Sequence, residues 1–189
     1  MATMGRIWKV ACGGLTAVLL LAGCGGSTRS PSSTTRAGSP PHCTSAQLGT
    51  TIGQPEAGLG HVGAVIMFRD TSATACVLSG YPGVAGLDSL GHQVVQAART
   101  PGGYLGGLQP SRGGPLPAVD LAARGGTASA YVEGTDHPVG PATSCATYTA
   151  LLVTPPNALQ PIRLATQLPA CTRLEIHPVV PGLTGRDNR

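Results

Sequence analysis

Apolar residues in this chain recur at every second position, a period typical of β-strands rather than of helices. The clearest run is HVGAVIMFRD at 61–70. One face of this run carries Val62, Ala64, Ile66 and Phe68. Val65 and Met67 lie on the other face, so we expect a central strand that is buried on both sides.

Five further segments share a strand-like pattern, and turns rich in Gly and Pro separate them. They are HQVVQAA (92–98), GTASAYVEG (126–134), CATYTALLVT (145–154), QPIRLATQL (160–168) and RLEIHPVV (173–180). No segment has the pattern of a long amphipathic helix, and Thr44 opens either a helical turn or a strand. Short strands at near-regular spacing predict an all-β fold, an immunoglobulin-like antiparallel β-sandwich over residues 43–181.

The N-terminal residues 1–23 have the organisation of a secretory signal peptide. Arg6 and Lys9 precede an apolar run that is shorter than the ~20 residues a membrane span needs. The run ends in Leu-Ala-Gly-Cys, which resembles the lipobox of bacterial lipoproteins. That resemblance implies cleavage after Gly23 and attachment of acyl chains, such as palmitate, to Cys24. The alternative is a secreted chain in which Cys24 is a free thiol.

Residues 24–42 continue as a linker rich in Ser, Thr and Pro, which predicts a flexible tether between the lipid and the sandwich. The tail GLTGRDNR, residues 182–189, is expected to be disordered. We therefore expect a lipid-anchored protein at the cell membrane, on its extracytoplasmic face, with the membrane as one partner.

Cysteine usage favours two disulfide bonds. Cys12 lies within the signal peptide, and Cys24 is the lipidation site. The remaining four are Cys43, Cys76, Cys145 and Cys171. An even number in an exported domain indicates disulfides, for which three connectivities are possible. Zinc is the rival interpretation, but the sequence has no C-x-x-C motif.

Strand order favours one of these connectivities. If the segment before HVGAVIMFRD pairs with it in antiparallel fashion, Cys43 approaches Cys76. A hairpin around TPPNALQ likewise brings Cys145 toward Cys171. We therefore predict the bonds Cys43–Cys76 and Cys145–Cys171.

Charge and composition exclude some classes of partner. The formal net charge is +4, and the ten Arg beyond the signal peptide are scattered singly among eight acidic residues. Without a basic stripe, nucleic-acid binding is not expected. The exported part has one Phe and four Tyr, and this scarcity disfavours a groove that stacks on sugars.

The sequence contains no motif of catalytic or metal-binding residues. There is no G-x-S-x-G, and in GLDSLG we expect Asp88 and Ser89 to bond the backbone of a turn. The five His are dispersed, although a sandwich can bring His61 and His92 together, with Asp70 or Asp88 beside them. We predict no catalytic residue, no metal and no cofactor.

The irregular stretch 99–117 is long for a connection in a sandwich, and long loops often carry binding sites. Its candidate binding residues are Tyr104, Leu105, Leu108 and Arg112. The alternative is an ordinary surface loop. In GYPG, residues 80–83, we expect a structural turn in which Tyr81 buries its ring.

Five short motifs follow one another along the chain: CVLSGYPGV (76–84), DSLGHQV (88–94), ARGGTASAYV (123–132), C…YTALLVTPP (145–156) and CTRLEIHPVVPG (171–182). In this order they resemble a family of exported actinobacterial proteins, catalogued as domain of unknown function 4232. The resemblance implies an immunoglobulin-like layout and no catalytic residues. RDTSATAC departs from the family's Asn-Thr-Gly-like turn, which leaves the shape of that loop open.

The predicted lipid on Cys24, the linker over residues 24–42 and the β-sandwich over residues 43–181 together predict a cell-envelope lipoprotein. It acts as a non-enzymatic module that binds an envelope protein or a small ligand. One alternative is a structural accessory subunit of a membrane-associated complex, which would expose an apolar patch. A less favoured alternative is an enzyme, in which His61 or His92 would meet a carboxylate in a pocket.

Overall fold

The structure is a computed structural model that describes residues 38–109, 114–138, 140–141, 143–171 and 173–187. Cys24, the predicted lipidation site, and the loop residue Arg112 lie outside these ranges. Within them the chain forms one turn of 3₁₀ helix, Ser45–Gln47, and thirteen strands. The strands are β1 (Leu48–Ile52), β2 (Glu56–Gly58), β3 (His61–Asp70), β4 (Cys76–Ser79), β5 (Gly83–Leu87), β6 (Gln93–Gln96), β7 (Ala98–Arg99), β8 (Ala118–Leu121), β9 (Thr127–Thr135), β10 (Ala146–Thr154), β11 (Ile162–Ala170), β12 (Glu175–Ile176) and β13 (Val180–Pro181). In the same ranges, no helix has the length and hydropathy needed to cross a bilayer.

The strands form a sandwich-like arrangement of sheets, which confirms the predicted all-β fold. The first sheet has the order β1-β3-β9-β12-β7, with β2 beside β3 and β13 beside β9. The second has the order β11-β10-β5-β6, and β4 pairs with β8 in a two-stranded ribbon. All pairs are antiparallel except β12 with β7. The two larger sheets meet where β11 packs on β1 and β3.

Two predicted strand pairings are confirmed by the register. Leu48 of β1 lies opposite Asp70 of β3, and Ala146 of β10 lies opposite Ala170 of β11. The segment RLEIHPVV differs from the prediction, because it forms two short strands, β12 and β13, around a buried His177. Thr44 caps the 3₁₀ turn, so the helical alternative holds at that position.

The core between the sheets is mainly aliphatic. Val62, Ala64, Ile66 and Phe68 of β3 are buried there, as the alternating pattern predicts. Val65 and Met67 on the opposite face of β3 are half-buried. Phe68 and Tyr148 are the aromatic residues of the main core cluster, and small alanines of β9 lie opposite the β3 core residues. Small and aliphatic side chains therefore fill most of this core, and large aromatic ones are few.

Both predicted disulfides are confirmed. Cys43 bonds to Cys76 in the core, and both residues are buried. Cys145 bonds to Cys171 beside the hairpin of β10 and β11, where both residues are half-exposed. The first bond ties the point where the chain enters the sandwich to the start of β4. The second ties the two ends of the hairpin together.

The C-terminal segment differs from the prediction of a disordered tail. Residues 182–187 pack against β9, and the Gly185 amide donates to Ser129 Oγ at 2.8 Å. Gly107 and Asp187 extend this contact, since the Gly107 amide donates to Gly185 O and the Asp187 amide donates to Gly107 O. The backbone of this segment makes these hydrogen bonds. Its sequence therefore carries no apolar pattern that would predict them.

Candidate functional site

A buried carboxylate holds the glycine-rich loop that follows β7. The amides of Tyr104 and Leu105 donate to Glu133 Oε1 and Oε2, each at 2.7 Å. Glu133 lies on β9 and is only 3% exposed. Charge-assisted bonds from two successive amides to one carboxylate fix the loop backbone in a single position.

His177 and Thr100 complete the network beneath the loop. His177 is fully buried, and its Nε2 lies 3.7 Å from Glu133 Oε1, with no closer hydrogen-bond partner among the described residues. Its Nδ1 lies 3.1 Å from the Thr100 carbonyl oxygen and 3.1 Å from Thr100 Oγ1. The Thr100 hydroxyl also donates to Glu175 Oε2 at 3.2 Å. A polar chain therefore runs from the half-buried Glu175 to the loop.

The charge of Glu133 is set by two opposing effects. Burial disfavours the ionised form, but the contact with His177 and the amides of Leu105 and Tyr104 outweigh that effect. The pKa of the Glu133 carboxyl therefore lies below its ordinary value. Glu133 is an anion near neutral pH, which is the form that accepts two amide hydrogen bonds.

Glycine is required where the loop lies on this network. A Cβ on Gly103 would collide with the Glu133 carboxylate, and a Cβ on Gly106 would collide with the Tyr131 side chain. Gly107 has φ +86°, a conformation that favours glycine, and its backbone lies against His177. The spacing of GGYLGGL therefore places the backbone directly on buried polar side chains of β9.

The loop presents a surface that we call the distal patch, formed by Leu59, His61, Tyr104, Leu105 and Arg186. The Tyr104 ring is 65% exposed and stacks on His61, with ring centroids 4.4 Å apart. Leu59, in the turn between β2 and β3, is 85% exposed. Arg186 Nε donates to the Leu105 carbonyl, and a hollow of about 300 Å³ lies between Arg186 and the loop.

The distal patch lies at the opposite end of the domain from the point where the chain enters it. His61 is the first residue of β3, and Asp70 is the last. Asp70 pairs with Leu48, close to the Cys43–Cys76 bond. At ~3.3 Å per residue, β3 separates the two ends by about 30 Å.

The candidate loop residues have different environments. Tyr104 is exposed, whereas Leu105 and Leu108 are half-buried. The Leu108 amide donates to the Pro101 carbonyl at 2.9 Å, so this part of the loop is closed on itself. The structure thus brings Tyr104 and Leu105 to one surface. The contribution of Leu108 is mainly the backbone hydrogen bond that closes the loop.

The candidate histidines are separated. His61 begins β3 of the first sheet, whereas His92 follows the turn after β5 in the second, and no contact joins them within the described residues. His92 is exposed and lies 3.5 Å from Asp88. As predicted, Asp88 bonds turn backbone, here the amides of Leu90 and His92. These bonds hold the pKa of Asp88 below its ordinary value.

One histidine does share a cavity with carboxylates. His61, Glu133 and Glu175 line a space of about 70 Å³ beneath the distal patch. That volume holds about two waters and is too small for an organic substrate. In the described part of the chain, no three His, Cys, Asp or Glu side chains converge as a metal site.

The residues that organise this site were not singled out from the sequence. Glu133 is the one charged residue of its strand-like run, and His177 follows Arg173 and Glu175 at alternating positions of its own run. In both settings an ionisable residue usually faces solvent. The available signal is the glycine pairs at 102–103 and 106–107, which indicate a backbone that approaches something closely.

Comparison with known proteins identifies one family whose model matches this chain. A family model described as "Domain of unknown function (DUF4232)" matches residues 43–180. No curated protein and no solved structure matches the chain significantly.

Proposed function

Since the chain belongs to the DUF4232 family, whose description assigns no function, we propose a function from the geometry of the domain itself. The protein is a lipid-anchored module of the cell envelope that binds a partner protein through the distal patch. One observation carries this proposal. The glycine-rich loop is fixed by Glu133, so it presents Tyr104 as a rigid, exposed aromatic anchor.

The composition of the distal patch fits a protein partner. Tyr and Arg are the residue types that contribute most often to binding hot spots, and the patch contains Tyr104 and Arg186. A preorganised loop loses little conformational entropy on binding, which favours affinity. The adjoining hollow of about 300 Å³ can accept one side chain of the partner.

The position of the patch fits a membrane anchor. A lipid on Cys24 and a linker over residues 24–42 would hold the domain at the end where the disulfide Cys43–Cys76 lies. The distal patch lies about 30 Å along β3 from that point of attachment. A partner in the envelope could reach it without contacting the lipid surface.

Photocrosslinking in intact cells tests the patch. A photoreactive residue at position 104 of the full chain is expected to give one discrete protein adduct. The matched control is position 159, because Leu159 is 89% exposed but lies in the turn between β10 and β11, near the chain entry. Adducts of equal yield at both positions, or none at position 104, would count against the proposal.

The lipid anchor has a separate test. The Cys24→Ala chain should move from the detergent phase to the aqueous phase on Triton X-114 separation, because loss of the acyl chains removes the membrane affinity. Cys12→Ala is the control and should partition like the unchanged chain. A Cys24→Ala chain that stays in the detergent phase would refute lipidation at this cysteine.

Enzymatic activity is the second candidate function, because His61 shares a cavity with Glu133 and Glu175. The geometry of these side chains makes it the weaker candidate. Both Glu133 oxygens already accept loop amides, and His61 is stacked on Tyr104.

A further inference from the structure

The end of the sandwich where the chain enters is built from four segments that contact one another. The four are residues 42–47, 71–75, 122–126 and 155–161. We call their outer surface the entry face. The Arg124 amide donates to the Ser72 carbonyl at 2.9 Å, and Gln47 Nε2 donates to Ser72 Oγ at 3.4 Å. The Ser45 hydroxyl donates to the Gln160 carbonyl at 2.7 Å, so all four segments meet at one end of the domain.

A large apolar side chain projects from the entry face into solvent. Leu159, in the turn between β10 and β11, is 89% exposed. Asn157 of the same turn lies beside the chain entry, with its Nδ2 3.3 Å from Nδ1 of His42. Leu159 is therefore close to the point where a linker over residues 24–42 joins the sandwich. Burial of such a side chain in the boundary between headgroups and acyl chains is favourable.

The charge of the entry face favours an anionic surface. The charged residues within its segments, or within two positions of them, are Arg69, Asp70, Asp120, Arg124 and Arg163. All three Arg are exposed, whereas Asp70 is fully buried, so three positive charges face solvent against the one of Asp120. In the described part of the chain, none of these Arg forms an ion pair. A Cβ on Gly125 would lie 3.5 Å from Arg69 Nη2, which places the Arg69 guanidinium against the turn that carries Arg124.

Arg124 has a backbone conformation that disfavours arginine. Its φ is +57°, in the left-handed region, where Gly or Asn is accommodated with less strain. The side chain is exposed and makes no hydrogen bond to the described residues that would offset this strain. A strained residue of this kind indicates a function, here a contact made outside the domain.

The opposite end of the domain has the reverse charge balance. The exposed or half-buried charged residues around the distal patch are Glu56, Asp136, Glu175, Arg173 and Arg186. Glu133 and Asp187 add two buried acidic residues at the same end. An anionic surface therefore attracts the entry face and repels the end that carries the distal patch.

We propose that the entry face docks on an anionic lipid bilayer, with Leu159 inserted between the lipids and the three exposed Arg at their phosphates. One leucine and three arginines bind a bilayer weakly by themselves. The contact therefore rests on the proposed lipid on Cys24, which keeps the entry face at a high effective concentration near the membrane. Docking by this end turns the distal patch away from the bilayer and toward a partner.

Fluorescence on vesicles tests the docking. The full chain carries an environment-sensitive fluorescent amino acid at position 159 and is added to vesicles of equal parts phosphatidylcholine and phosphatidylglycerol. The matched control is position 59, because Leu59 is 85% exposed at the opposite end. Nitroxide-labelled lipids should quench position 159 at least about threefold more than position 59, because interfacial apolar groups reach ~5–10 Å into the headgroup and acyl boundary.

The Arg69→Gln/Arg124→Asn chain tests the charge of the entry face. Because Asn tolerates a positive φ, the thermal midpoint should stay the same or rise. The ratio of quenching between positions 159 and 59 should fall toward one, since the attraction to the lipid phosphates is weakened. Arg99→Gln/Arg173→Gln removes the same charge away from the entry face and should leave the ratio unchanged.

Each contrary result has a distinct meaning. Equal quenching at positions 159 and 59, on vesicles that carry the chain, would refute the docking and leave the lipid anchor and the distal patch untouched. A chain that does not float with the vesicles would refute the lipid anchor, and the docking with it. An unchanged ratio in the Arg69→Gln/Arg124→Asn chain would remove the anionic lipid from the proposal. A discrete protein adduct from a photoreactive residue at position 159 in cells would replace the bilayer by a protein.

Discussion

Replacement of Glu133 by alanine is expected to lower the free energy of unfolding by about 2–4 kcal/mol. The change leaves the amides of Tyr104 and Leu105 without an acceptor and leaves His177 buried beside a void. Denaturant unfolding followed by far-UV circular dichroism measures the loss. The loop should also become a preferred site of proteolytic cleavage.

The matched control is Glu175→Ala. Glu175 is half-buried and accepts one hydrogen bond, from the Thr100 hydroxyl, so its loss should cost less than about 1 kcal/mol. Equal losses in the two variants would show that Glu133 has no special role in holding the loop.

The effect of Glu133→Ala should depend on pH with a definite sign. The pKa of Glu133 is lowered in the folded state from an ordinary value of 4.5, so the unfolded state binds more protons at acidic pH. The stabilisation by the carboxylate is complete above about pH 4.5 and is lost as the pH falls through the folded-state pKa. The difference in stability between the unchanged chain and Glu133→Ala should therefore shrink below pH 4.5.

Loss of the Cys43–Cys76 bond is expected to have the second large effect. The Cys43→Ala/Cys76→Ala chain should lose about 3–5 kcal/mol of unfolding free energy, because the bond closes a separation of 33 residues and both sulfurs pack in the core. The Cys145→Ala/Cys171→Ala chain should lose less, about 2–3 kcal/mol, since its separation is 26 residues and both residues are half-exposed. Denaturant midpoints and slopes of both chains provide the comparison, and a reversed order would contradict this account of the core.

The strand framework was predictable because its pairings are local and periodic. Alternation in 61–70 identified the central strand, and the turn TPPNALQ identified the hairpin of β10 and β11. The two disulfides followed from those pairings. In contrast, β4 and β5 are short strands with few polar positions, so the alternating pattern does not mark them.

The candidate site was predictable only in outline. Tyr104 and Leu105 stand in a stretch marked by its length and glycine content. Glu133 cannot be identified in the same way, because burial of a carboxylate depends on amides that lie 28 and 29 residues away in sequence. The packing of residues 182–187 against β9 was not predicted for a similar reason. Gly185 contributes only backbone groups and a close contact with the Tyr131 ring.

Amide hydrogen exchange of Tyr104 and Leu105 in the full chain tests the central claim most directly, namely that a buried carboxylate fixes the glycine-rich loop as a binding surface. Above pH 5 we predict that both amides exchange at least about 10³-fold more slowly than in an unstructured peptide, because each donates to Glu133. Exchange of both amides at the rate of a free peptide would mean that the loop is not held, and the preorganised patch would have to be abandoned.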